Sequence, residues 1–118
     1  MVHKLVVIMK FKVFKNQEER WAIKQANGTC LKNQVDCSYD ELIDLFGEPT
    51  SEESSDGKVQ VEWVVLYDDG RVCTIYDWKE YDTEVRNVRD WHLGGNDGIA
   101  PKRVKKLIID NKANSLVT

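Results

Sequence analysis

Apolar residues recur along the chain with two different periods, and the switches between them mark the elements. Residues 4–15 are rich in Val, Ile and Phe and end with Lys10 and Lys12 alternating with Phe11 and Val13, the period-2 pattern of a strand. Residues 20–26 and 29–35 flank Asn27-Gly28, the favoured dipeptide of a two-residue hairpin, and predict a second and a third strand. The period then lengthens. Tyr39, Leu42, Ile43 and Phe46 fall at i, i+3, i+4 and i+7, one face of a short helix. Ser38 and Glu41 form a capping box at its start, Gly47 suits a positive-φ C-terminal position, and Pro49 prevents continuation. The polar run at 50–57 predicts a mobile loop.

Residues 58–79 carry the strongest alternation and turn at Asp68-Asp69-Gly70. A two-residue turn at Asp69-Gly70 would place Trp63 opposite Tyr76 and Val61 opposite Trp78, both favourable cross-strand pairs. The same register sets Glu62 against Asp77, a like-charge pair that marks either a wrong register or an exposed strand end. Both faces are apolar near the turn, as expected of a central hairpin covered on two sides. Residues 80–98 are expected to cross the sheet as a loop anchored by Trp91, in which Asp90 and His92 point apart. A last helix is expected from Pro101, burying Val104, Leu107 and Ile108, with a frayed tail at 111–118. The pattern predicts one α+β domain over residues 1–118, an antiparallel sheet with a central Trp-rich hairpin and two helices packed on it.

Length and composition narrow the class. A chain of 118 residues with 42% hydrophobic content suits one folded unit. The run from Leu5 to Met9 is too short to span a bilayer or to act as a signal sequence, so the expectation is a cytoplasmic protein without a membrane partner. Cys30, Cys37 and Cys73 show no paired spacing and only His3 and His92 accompany them, which predicts reduced thiols, no metal site and no cofactor. The net charge of −3 conceals blocks: eight carboxylates lie between Asp36 and Asp56, and residues 33–57 contain no Lys or Arg. That distribution argues against a dedicated duplex-DNA binder.

Candidate chemistry is sparse. His92 with Asp77 or Asp90 could form an acid–base pair, yet no nucleophile stands at a signature spacing. Gly94-Gly95-Asn96-Asp97-Gly98 precedes a helix whose first turn holds Lys102 and Arg103, an arrangement that can hold a phosphate or carboxylate. It lacks the P-loop pattern, and glycines before a helix are more often a tight turn. Trp63, Tyr76 and Trp78 could stack bases, although core packing is the commoner use of such strand aromatics. The set expected to touch a ligand is Asp77, Trp78, Trp91, His92, Gly94, Gly95, Asn96, Lys102 and Arg103, and no residue is assigned a catalytic role.

The motifs at Tyr39, Phe46-Gly47-Glu48-Pro49, Glu62-Trp63, Asp69-Gly70, Ile75 to Lys79 and Trp91 to Gly95 occur together in an order that resembles an uncharacterised family of small phage and large-DNA-virus proteins. The likeness covers residues 29–109 and leaves residues 1–28 outside it. It implies a viral origin and a small accessory factor that acts on host machinery, including antiviral defence. The expected function is non-enzymatic binding of a host protein, met through the acidic face, or of a small anionic ligand. A small hydrolase or nucleotide-processing enzyme using His92 is the first alternative, and a single-stranded nucleic-acid-binding module the second. A symmetric homodimer is expected through the strand at 4–15 or its hairpin partner, because Leu5 to Met9 is apolar on both faces.

Overall fold

Both reciprocal bonds of the capping box are made: Glu41 N–H donates to Ser38 Oγ and Ser38 N–H to Glu41 Oε1, each at 3.1 Å. The helix they start, Tyr39–Phe46 (α2), ends at Gly47 with φ +76° and buries Leu42 and Phe46. In the computed structural model, which describes residues 10–21, 28–54 and 56–117, α2 and a long C-terminal helix pack on one face of a five-stranded antiparallel sheet. The strands are β1 (Phe11–Val13), β2 (Cys30–Asp36), β3 (Glu62–Tyr67), β4 (Val72–Tyr76) and β5 (Asp90–Gly95), in the order β1-β3-β4-β5-β2. A short helix, α1 (Gln17–Trp21), follows β1, and α3 (Ile99–Val117) follows β5. The α+β class with a Trp-bearing hairpin inside the sheet is therefore as the pattern predicts.

The hairpin register differs from expectation by one residue. Gly70 N–H donates to the Tyr67 carbonyl and Tyr67 N–H to the Arg71 carbonyl, both at 2.9 Å, so the loop holds three residues, Asp68 to Gly70, with Gly70 at φ +86°. Trp63 consequently pairs with Ile75, and Glu62 with Tyr76. Because side chains alternate along a strand, this slip moves Thr74, Tyr76 and Trp78 away from the face of Trp63. It also removes the Glu62–Asp77 opposition. Asp77 lies beyond β4, fully buried, with Oδ1 accepting from Gln60 N–H (2.8 Å) and Val61 N–H (3.1 Å).

Two further expectations are corrected. Residues 90–95 form a strand between β4 and β2 instead of a crossing loop, so Asp90 and His92 share a face rather than pointing apart. Residues 17–21 are helical, so Arg20 and Trp21, expected to open a strand over 20–26, end a helix instead; at its start Glu19 N–H donates to Asn16 Oδ1 (2.9 Å) and Glu19 Oε2 accepts from Lys15 N–H (2.8 Å). Strand β2 takes β5 as its partner. The rest of the expected N-terminal elements, residues 1–9 and 22–27, lies outside the described residues. Helix α3 begins two residues before Pro101 and runs past the expected fray, with Lys112 Nζ donating to the Asp36 carbonyl (2.9 Å).

The core sits between sheet and helices. Trp63, Val65, Cys73, Ile75, Trp91 and Leu93 meet Leu42 and Phe46 of α2 and Ala100, Val104 and Ile108 of α3. Leu107, expected in the stripe, is partly buried. On the opposite face a smaller cluster joins Phe14, Val64 and Val72. Thr50, expected in a mobile loop, is buried and bridges the end of β1 to β3: Oγ1 donates to the Phe14 carbonyl (2.6 Å) and accepts from Val64 N–H (2.9 Å).

Candidate functional site

The residues singled out in the sequence fall into three places. Trp91 is core: fully buried, edge-on to Trp63 at 5.5 Å, its Nε1–H donating to the Cys37 carbonyl (3.0 Å). Asp77 is buried too, bonded to two backbone amides, with its Oδ2 lacking a hydrogen-bond partner among the described residues.

Gly94 and Gly95 lie in a strand paired on both sides, and each is glycine because a Cβ would not fit. At Gly94 it would meet Thr74 Oγ1 at 2.5 Å, and at Gly95 the Asp97 carbonyl at 2.8 Å and the Pro101 ring at 2.9 Å. Past them, the chain supplies its own anions. Asp97 Oδ1 accepts from Ile99 N–H (2.9 Å) at the start of α3. Arg103 donates to Asp69 Oδ2 (2.8 Å) while lying over the Tyr67 ring, and Arg71 reaches the same oxygen at 2.8 Å. The Arg103 hydrogen bond holds the Asp69 carboxyl far below the usual carboxylate range. Lys102 and Asn96 are exposed beside this network. Its cations are thus engaged by carboxylates from the hairpin turn and the loop, and the arrangement works as a clasp between hairpin and helix.

The third place is the sheet face turned away from α2 and α3. Gln34, His92, Tyr76 and Glu62 form one row across β2, β5, β4 and β3. Gln34 Nε2 lies 3.3 Å from His92 Nε2, and the His92 and Tyr76 rings meet edge-on at 5.5 Å. Burial first, and then the Glu62 charge, raise the Tyr76 hydroxyl above its ordinary pKa. Trp78, 42% exposed, stands edge-on to Tyr76 at 6.4 Å, and Trp78 and Gly94 line a common cavity. No carboxylate hydrogen-bonds either ring nitrogen of His92 among the described residues, so the geometry assembles no acid–base dyad there.

A larger concavity was not foreseen. Between the start of α2 and residues 80–85 lies a groove of about 600 Å³ walled by Tyr39, Pro49, Val61, Tyr81 and Val85, with Glu48, Glu52, Glu53 and Glu80 among its lining residues and no lysine or arginine. Gln60 holds its two sides together, Nε2 donating to the Glu80 carbonyl (3.2 Å) and the Thr83 carbonyl (3.0 Å). Asp77 fixes the backbone of Gln60 and Val61 from behind the strand end. Carboxylates outweigh the one nearby cation: burial, then Glu48, Asp40 and Glu52, raise the Tyr39 hydroxyl, and Arg86 only partly opposes them. The excess of carboxylates between Asp36 and Asp56 was visible in the sequence, but Glu80 and Tyr81 join them only through the fold. Among the described residues no helix is long and apolar enough to cross a membrane. No family model, curated protein or solved structure matches the chain.

Proposed function

We propose that this protein is a non-enzymatic binding module whose partner is a protein that lays a lysine- or arginine-bearing segment in the groove beside α2. The observation that carries this reading is the groove's composition: four glutamates and two tyrosines, with no lysine or arginine among its described lining residues and Arg86 the one cation acting on Tyr39. A cationic side chain there gains charge complementarity and a ring face for its head group. Tyr81, 65% exposed at the rim, is the kind of aromatic that anchors protein interfaces. Taken with the resemblance to phage and large-DNA-virus proteins, the partner is a host protein met in the cytoplasm, and the module an accessory factor acting on host machinery. The expected dimer belongs to the same proposal and would use the outer side of β1, which has no strand partner among the described residues.

The test is titration of a labelled arginine-rich peptide by fluorescence anisotropy. Joint replacement of Glu48, Glu52, Glu53 and Glu80 by glutamine should weaken binding at least about tenfold, the equivalent of ~1.4 kcal/mol. Neutralising the exposed Asp36, Asp68, Asp90 and Asp110 to asparagine removes equal charge elsewhere and should change it far less. Equal losses in the two variants would reduce the groove to a share of the net charge, and the proposal would fail.

A further inference from the structure

The row of aromatics on the sheet face turned away from α2 and α3 ends in a second site, outside the groove. Trp78 is one of the few large hydrophobic side chains left exposed, and two ammonium groups attend its ring: Lys79 Nζ at 5.6 Å and Lys58 Nζ at 5.9 Å from the centroid. This grouping is fixed by the backbone. Lys79 N–H donates to the Lys58 carbonyl (2.8 Å), which sets the two lysines side by side. Lys79 adopts φ +57°, the single positive φ of a non-glycine residue in the described backbone, a left-handed conformation that side chains other than glycine adopt at a cost. Lys79 makes no ion pair among the described residues. Among the described residues Lys58 pairs with one carboxylate, Asp56 at 3.9 Å, and both side chains are exposed, so that contact is given up at little cost.

Behind Trp78 is a cavity of about 210 Å³ lined by Thr29, Glu62, Thr74, Tyr76 and Gly94. Its size is below the ~300 Å³ at which pockets for larger organic ligands begin, and it matches one flat ring system. Gly94 keeps it open, since even a methyl group there would meet Thr74 and lie 3.4 Å from Tyr76 Cε1. Its polar lining includes the Thr29 and Thr74 hydroxyls, able to hydrogen-bond the edge of a ring.

We infer that this site binds a nucleobase with its attached phosphate: the base stacks against Trp78 at the mouth of the cavity, and the phosphate lies between Lys58 and Lys79. The chemistry selects this class. A neutral apolar ligand would use the ring and leave the lysines idle, and a simple carboxylate would use the lysines and leave the ring exposed. A base carrying a phosphate uses both, the combination by which single-stranded nucleic acid is held without reading its sequence. Two sources share that chemistry, a nucleotide within a single strand and a free mononucleotide.

The experiment uses the full chain, a fluorescein-labelled short oligothymidylate followed by anisotropy, and thymidine monophosphate followed by the NMR shift of the Trp78 indole N–H. Binding of the oligonucleotide assigns the site to a strand, and binding of the monophosphate alone assigns it to a free nucleotide. Trp78→Ala should weaken binding by about tenfold, within the range set by loss of one base stack. Lys58→Gln combined with Lys79→Gln should lower the salt dependence of the oligonucleotide by about 0.7, the share of the one phosphate the two lysines neutralise. Both changes are on the surface, and a cooperative thermal melt confirms the fold. The inference is overturned if neither probe binds, or if binding survives either change within about twofold. The groove glutamine variant should bind both probes as the wild type does, so failure of one site does not decide the other.

Discussion

The two faces of the sheet use the same residue types for opposite purposes. On the helix side, Trp63 and Trp91 are fully buried, edge-on to each other, and each indole N–H reaches a backbone carbonyl, Gly47 for Trp63 (2.8 Å) and Cys37 for Trp91. Burial pushes the Cys37 thiol up to about 12 and raises the Cys73 thiol as well, so this face is chemically quiet. On the other side, Tyr76 and His92 are half-buried, Trp78 is exposed, and its ring faces lysines instead of core. What divides them is parity along the strands. Residue type gives a Trp its area and its one donor; position decides whether these stabilise the fold or remain available to a ligand.

The sharpest way to break this contrast is to truncate one aromatic on each face. Trp63→Ala should cost about 3–5 kcal/mol in urea unfolding, because it opens a cavity between α2 and the sheet and orphans the Gly47 carbonyl. Trp78→Ala should cost clearly less, about 1–2 kcal/mol, since 42% of its surface is in water already and no core cavity opens. Comparable losses would mean that the second face is core after all. Next in size is Asp77, which anchors the backbone where groove and hairpin meet. Asp77→Ala leaves two buried amides without an acceptor and should cost about 2–3 kcal/mol. Asp77→Asn keeps an acceptor oxygen for both amides and should recover at least half of that loss. If asparagine is as damaging as alanine, the two amide bonds are not what Asp77 contributes.

How far the contrast was legible in the sequence depended on whether its cause was local. Helix α2 could be read outright, since cap, apolar stripe and Gly-x-Pro stop all lie within a dozen residues of one another. The hairpin was legible in place but not in register, because Asp68-Asp69-Gly70 serves a two-residue or a three-residue loop equally well. The one warning was energetic: the rejected register set Glu62 against Asp77, and the actual one releases Asp77 to bind amides. Strand β5 was missed although Asp90-Trp91-His92-Leu93 alternates polar and apolar, since a glycine pair ordinarily argues against a strand. Here Gly94 is required by Thr74, distant in sequence, and Gly95 by the Asp97 carbonyl and Pro101 ring that the turn into α3 folds back onto it. The groove drew its walls from three separate segments, and no local pattern announces that. A prediction follows for the legible part: Ser38→Ala should remove one bond of the capping box and cost about 1 kcal/mol by urea unfolding. An unchanged midpoint would show that tertiary packing alone holds the start of α2.

The smallest expected effect concerns the clasp that joins the hairpin turn to α3 and so holds the helix-covered face closed. Asp69 receives Arg103 and Arg71, each at 2.8 Å, and its carboxyl titrates well below its unfolded value. For such a group the stabilisation is fully present above the unfolded carboxylate pKa, near ~3.9, and is lost as pH falls toward the folded value. Wild type should therefore melt above Asp69→Asn by a constant margin at neutral and mildly acidic pH. The margin should begin to narrow only as pH falls toward ~4 and should vanish once the folded carboxyl is protonated. The pair lies at the surface, so the margin should be modest and should shrink with added salt. A margin that stays constant through the acid range would mean that the substitution removes geometry rather than charge; no margin at any pH would mean that the clasp adds nothing to the Arg103 packing on Tyr67. Either result would leave the helix-covered face held by its buried tryptophans and helix contacts, without help from the turn.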